Sequence, residues 1–178
     1  MRRRKNKTTP EEFDKTQLVD SELVDKISLW SLRIILNLGG AREFIDKDNC
    51  FRNDSLAFFL ETGVYVDMDR DDFKRSEVLT ILRRNLSKLE KRKRFTSSKI
   101  LTKNIKQVSK LMNINSVEEH ILEFVVLLNQ YEILDEASEL LGNSLNTTQA
   151  KKALSGILDI PLKDINNAFK SNSKFNKS

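Results

Sequence analysis

Asp20-Ser-Glu-Leu23-Val24-Asp-Lys-Ile27-Ser-Leu-Trp30-Ser-Leu-Arg-Ile34-Ile35-Leu-Asn-Leu38-Gly39-Gly40 is the stretch that decides the fold. Leu23, Val24, Ile27, Trp30, Ile34, Ile35 and Leu38 recur at intervals of three and four, which places them on one face of a long helix. Asp20 or Ser21 is the expected N-cap. Gly39-Gly40 is the expected stop, because glycine enters the left-handed C-terminal conformation at no steric cost. Trp30 lies on the apolar stripe and reads as core.

Outward from this helix the punctuation is sparse. Five Gly and two Pro in 178 residues are about 4%, where average usage gives about 12%. Sandwiches and barrels draw on Gly and Pro for a turn every few residues, so the chain is expected to be all-α, an irregular bundle of eight to nine helices. Ala41 to Ile45 and Asn53 to Leu60 read as short helices, and Val64-Tyr65-Val66 as the one stretch with strand character. Asp71-Asp72 are placed for the first turn of a helix whose stripe is Phe73, Val78, Leu79, Leu82, Leu86 and Leu89. Ile100 to Met112 marks a further helix. Ser116 and Glu119 match a capping box before Ile121 to Leu128, which is apolar nearly all round and reads as the central buried helix. Ile133 to Leu141 stops at Gly142, Asn146-Thr147-Thr148 caps the next helix, and Pro161 opens the last. No internal repeat is evident. Residues 1–20 read as a disordered leader with a short turn around Phe13 to Val19, 21–95 as an N-terminal helical lobe and 96–178 as a C-terminal one, two small lobes if the bundle divides.

Charge is distributed unevenly. From Leu82 to Lys110 eleven Lys and Arg face one carboxylate, Glu90; from Leu111 to Ala150 there are seven Asp and Glu and no cation. Two such segments attract each other across a fold or between copies. Phosphate or partner contacts are expected at Arg83, Arg84, Lys88, Lys91, Arg92, Lys93 and Arg94. The basic run has only Phe95 for an aromatic, which leaves little to stack single strands on.

Catalytic and metal-binding patterns are weak. Neither common phosphate-cradling glycine loop occurs. Cys50 is the only cysteine and His120 the only histidine, which leaves no disulfide and no paired-His zinc site. Asp46-Lys-Asp48 and Asp67-Met-Asp69 begin like calcium loops, but lack both the glycine at the sixth position and the glutamate at the twelfth; they read as turns and caps. The pair of helices on either side of Asp159-Ile160-Pro161 has helix-turn-helix shape, with Lys163, Asp164, Asn166, Asn167 and Lys170 on the second, and reads first as a packing unit. The basic N-terminus is followed by Thr8-Thr9-Pro10-Glu11-Glu12 rather than an apolar run, unlike a secretory signal. A cytoplasmic protein without membrane contact is expected. No catalytic, cofactor-binding or metal-binding residue is assigned.

One similarity adds to this. Leu101-Thr-Lys-Asn-Ile105-Lys-Gln-Val108-Ser-Lys-Leu111, Ser116-Val-Glu-Glu119-His-Ile121-Leu122-Glu-Phe124, Leu140-Leu141-Gly142-Asn-Ser144-Leu145 and Leu158-Asp-Ile-Pro161-Leu-Lys-Asp-Ile165-Asn-Asn-Ala-Phe169 resemble the helical region that precedes the ATPase core in a group of bacterial AAA-family ATPases. The resemblance covers roughly residues 97–178, and the Trp30 to Gly40 segment suits the same context. It implies an N-terminal fragment that ends before the motor, with ATP and Mg belonging to the parent protein and no cofactor in this chain. The role implied is a non-catalytic regulatory or substrate/adaptor-recognition domain, docked on its own ATPase module in a homo-oligomeric ring. The alternative is a helical nucleic-acid-binding regulator that uses the basic 83–110 segment.

Overall fold

The computed structural model describes residues 13–92, 95, 97–142 and 144–170. Among them the chain forms nine α-helices: α1 Val24–Asn37, α2 Ala41–Phe44, α3 Asp54–Phe59, α4 Arg75–Glu90, α5 Lys99–Met112, α6 Ser116–Gln130, α7 Glu132–Glu139, α8 Thr147–Leu158 and α9 Leu162–Ala168. The only β-type pairing among the described residues is an isolated antiparallel bridge, Ile45 to Phe51. The expected all-α bundle is what the chain builds. No helix among the described residues is long and apolar enough to cross a membrane.

The centre of the bundle is α1, not α6. Nine consecutive residues from Ile27 to Ile35 are buried, which a helix achieves only when neighbours enclose it on all sides. Those neighbours are α2, α4, α7 and α8. On α6 the buried positions are Glu118, Ile121, Phe124 and Leu127, while Val125 is 43% exposed. Apolar composition misranked the two helices because Lys26, Ser28, Ser31 and Arg33 interrupt α1 in sequence yet are taken inside. Trp30 is core, edge-on to Phe124 with ring centroids 5.3 Å apart.

The main apolar cluster runs from Val19 through Phe59, Leu82 and Phe124 to Ile157, and so crosses residue 96. A smaller cluster, Ile121, Ile165 and Ala168, sits under α9. Part of the expected leader belongs to this body. Lys15–Gln17 form a 3₁₀ turn capped by the Asp14 carboxylate, Phe13 stacks on Phe58, and Val19 is buried. Residues 1–12 lie outside the described residues.

Several local expectations shift. Helix α1 begins at Val24 with Leu23 as its N-cap and no side-chain cap, so neither Asp20 nor Ser21 caps it. Val64-Tyr65-Val66 is not a strand: Gly63–Tyr65 is a 3₁₀ turn. Asp71 and Asp72 precede α4, which opens at Arg75. The capping box of α6 is one residue earlier than read: Asn115 accepts from the backbone of Val117 and Glu118, and Glu118 returns to the Asn115 N–H at 2.8 Å. Asn146 caps α8, as expected of Asn146-Thr147-Thr148, and with Gln149 it completes an equivalent box. Gly39 and Gly142 adopt φ of +90° and +94° behind α1 and α7.

Two joints are built alike. After α5, Asn113 turns left-handed, the Ile114 N–H reaches the Ser109 carbonyl, and Ser109 Oγ donates to the Ile114 carbonyl. After α8, Asp159 turns left-handed, the Ile160 N–H reaches the Ser155 carbonyl, and Ser155 Oγ donates to the Ile160 carbonyl. This is a Schellman-type ending with a serine brace, used once for α5–α6 and once for α8–α9. It is a repeat of turn chemistry, not of apolar pattern, which is why the sequence did not display it.

Which helix is central can be measured by denaturant unfolding. Ile34→Ala should cost about 3 kcal/mol, as for a large aliphatic deleted from a closed core, while Val125→Ala on α6 should cost under about 0.5 kcal/mol.

Candidate interaction surface

Helix α4 buries Val78, Leu82, Asn85, Leu86 and Leu89 against the core. Its opposite side carries Arg83, Arg84 and Lys88, and Lys91 follows at its C-cap; all four are exposed, and none makes an ion pair among the described residues. Arg92 differs. It is committed to Asp25 on α1 and so ties the end of α4 to the central helix. Lys93 and Arg94 lie outside the described residues.

The rest of the basic segment forms α5. At 100° per residue, Lys99, Lys103, Lys106 and Lys110 fall within about 60° of arc, and all four are exposed without an ion pair among the described residues. Ile105 and Ser109, about a third of a turn away, pack toward α6. Between the two faces Ile100 and Leu111 remain 72% and 86% exposed. Helix α5 therefore offers a lysine ridge beside two large aliphatic side chains. The basic segment is one run in sequence but rests on two supports, α4 on α1 and α5 on α6.

Inside the fold the basic and acidic segments do not pair with each other among the described residues. The acidic segment's ion pairs go instead to Lys26, with Glu123, and to Arg52, with Glu139. Lys26 and Glu123 are 2.6 Å apart and mostly buried, and Ser97 Oγ donates to the same Glu123 oxygen at 2.7 Å while accepting from Lys26. Arg33, 9% exposed, donates to the Ile157 carbonyl at 2.8 Å and faces Glu90 at 3.7 Å and Asp159 at 3.5 Å. A guanidinium at the C-terminal end of α8 suits the negative pole of that helix. These residues escaped the sequence reading because their partners are far away along the chain.

The remaining candidates are locally occupied. His120 is exposed, its Nδ1 2.6 Å from the Ser116 carbonyl one turn back, and Cys50 is exposed in the loop after α2. Asp46 accepts from the backbone of Asp48 and Cys50, which makes this calcium-like stretch a turn. Among the described residues no group of three or more His, Cys, Asp or Glu is placed to hold a metal ion. On α9, Lys163, Asn166 and Asn167 are exposed, as is Lys170 just past its end, with Ile165 and Ala168 turned into the smaller cluster.

Tyr131 joins the first and second halves by donating to Asp20 at 2.7 Å. Burial, and then this bond, push its phenol up to about 12. The folded state favours the protonated phenol, so its contribution to stability is complete below about pH 10, the ordinary value, and disappears as pH rises through about 12. Asp20→Asn should bring the transition part of the way down in a near-ultraviolet titration, burial holding the remainder. Glu123→Ala should cost about 3 kcal/mol in denaturant unfolding, because it strands the Lys26 charge. The double change Lys26→Met, Glu123→Leu should cost less than that single one.

Comparison with protein-family models, curated proteins and solved structures finds no match to this chain.

Proposed function

We propose that the chain is a non-catalytic recognition domain serving an ATP-hydrolysing protein of the AAA type, taking a protein substrate or adaptor on its surface. The observation that carries the reading is α5, where a lysine ridge lies beside Ile100 and Leu111, both well exposed. A partner with acidic groups and an apolar side chain toward each end of α5 uses both parts, whereas a phosphate backbone uses only the lysines. The positions behind the AAA resemblance also occupy defined structural places. Ile105, Ile121, Leu140 and Ile165 are buried, Gly142 ends α7, and Pro161 opens α9.

On this reading ATP and Mg bind the parent's own motor module, on which this domain docks in the cytoplasm. In a homo-oligomeric ring, several copies around one pore add weak contacts through effective concentration, so modest single-copy affinity suffices. The coding sequence beyond codon 178 tests the reading. A G-x-x-x-x-G-K-[ST] loop within the next ~100 codons supports it, and a frame closing at Ser178 overturns it. Calorimetry of this chain with ATP and Mg should give no heat, and low-micromolar binding counts against it.

Arg83, Arg84, Lys88 and Lys91 favour a second reading, a helical regulator that holds nucleic acid by its backbone. Four phosphate contacts predict a slope of about −4 in log affinity against log salt. Fluorescence anisotropy with a labelled duplex checks this, and Arg83→Glu with Arg84→Glu should abolish binding. No binding at low salt eliminates it.

A further inference from the structure

The carboxylates of the acidic segment gather on α7. At 100° per residue, Glu132, Asp135, Glu136 and Glu139 fall within about 100° of arc, while Ile133, Leu134 and Ala137 are buried on the side turned away. Glu132 and Asp135 are exposed and Glu136 is half-buried, all three without an ion pair among the described residues. Glu139 shares Arg52 with Glu43. Beside the Glu132 end lies a cleft of about 310 Å³. Leu18, 36% exposed, gives it an apolar edge, and no Lys or Arg lines it.

This ridge and the lysine ridge of α5 share one set of intervals. Glu132, Glu136 and Glu139 are spaced four and three, and so are Lys110, Lys106 and Lys103 read in the opposite direction. Laid antiparallel, α5 sets Lys110 against Glu132, Lys106 against Glu136 and Lys103 against Glu139, over about 10 Å of helix. That direction also brings the carbonyl pole of α5 to the amide pole of α7. Leu111, 86% exposed, lies one residue beyond Lys110 and about a quarter-turn round. Ile133, which lines the cleft, is displaced from Glu132 by the same quarter-turn, and facing antiparallel helices bring flanks of the same hand together. Leu111 therefore arrives at the cleft, beside Leu18.

We propose that α5 of one copy docks antiparallel on α7 of a second copy. The chain supplies both halves of the complement, and among the described residues neither half pairs with the other inside its own fold. A polyanion on α5 occupies the lysines and leaves both Leu111 and α7 bare. The contact joins unlike surfaces, so it closes as a mutual pair or as a ring. Exposed ion pairs contribute little each, which makes the association weak and salt-sensitive. The inference rests on α5 as a protein-binding surface and names its occupant; a substrate or adaptor then reaches α5 in competition with the neighbouring copy. The frame beyond codon 178 decides the ATPase assignment and is indifferent to this contact.

Sedimentation velocity of the full chain from about 10 μM to about 1 mM, in ~50 mM and ~500 mM salt, tests it. Concentration-dependent association in low salt, at least about tenfold weaker in high salt, is the expected result. Lys103→Glu with Lys106→Glu and Lys110→Glu should abolish it, and so should Glu132→Lys with Glu136→Lys and Glu139→Lys. An equimolar mixture of these two variants should associate again. The acidic α5 of the first meets the basic α7 of the second, and the second's lysine ridge meets the first's native α7. Leu111→Ser should weaken association about tenfold. Lys47→Glu with Lys152→Glu and Lys163→Glu, the same change in net charge on exposed residues elsewhere, should leave it unchanged. The lysines of α5 and Leu111 are exposed, so their variants carry the test even if the α7 reversal does not fold, and thermal melting verifies that. The proposal is overturned if the chain stays monomeric at about 1 mM in low salt, or if salt or the α5 reversal leaves association intact. It is equally overturned if the mixture of folded variants stays monomeric, if the scattered reversal also loses association, or if Leu111→Ser associates as well as the parent chain.

Discussion

A guanidinium buried in the middle of the central helix is the constraint around which the bundle is arranged. Arg33 is one of nine consecutive enclosed residues on α1, and it cannot be taken out of water without partners. It finds them at three places: the last turn of α8, through the Ile157 carbonyl; the end of α4, through Glu90; and the α8–α9 turn, through Asp159. Each contact satisfies part of the charge and falls at the end of an element. Helix α8 presents its carbonyl pole to α1, and α4 ends close by. Lys26, two turns earlier on α1, fastens α6 through Glu123 in the same way.

That dependence explains what the sequence could and could not reveal. The span of α1 was legible because Leu23 to Leu38 keeps helical spacing and Gly39 supplies the stop. Its central position was not, because a charge inside an apolar stripe looks like an exposed edge until its distant partners are known. Helix α6 misled in the opposite direction: Leu122 and Val125 are apolar in sequence yet stand at or near the surface. The displaced capping box has a similar cause. Asn115 and Ser116 both suit an N-cap, and only the backbone path after the left-handed Asn113 selects between them.

The surface was more legible than the interior. Spacings of four, three and four among Lys99, Lys103, Lys106 and Lys110 already place them on one side of a helix. What spacing does not give is the rotation of that helix on its support. In the fold α5 sits so that Ile105 and Ser109 face inward and Ile100 and Leu111 do not. The cleft beside α7 was wholly illegible, since Leu18, Asn53 and Glu136 come from three separate segments, and nothing in the order of residues relates them.

The serine-braced corners after α5 and α8 have an architectural consequence. Each closes through main-chain and hydroxyl groups of its own few residues, so its bend owes little to whatever packs nearby. A corner of this kind behaves as a prefabricated bracket: the helix beyond it leaves at an angle set locally, and side chains on that helix can change without altering its heading. The chain thus holds two mounting points, at α5–α6 and α8–α9, where outward-facing residues can diversify while the scaffold that aims them stays the same.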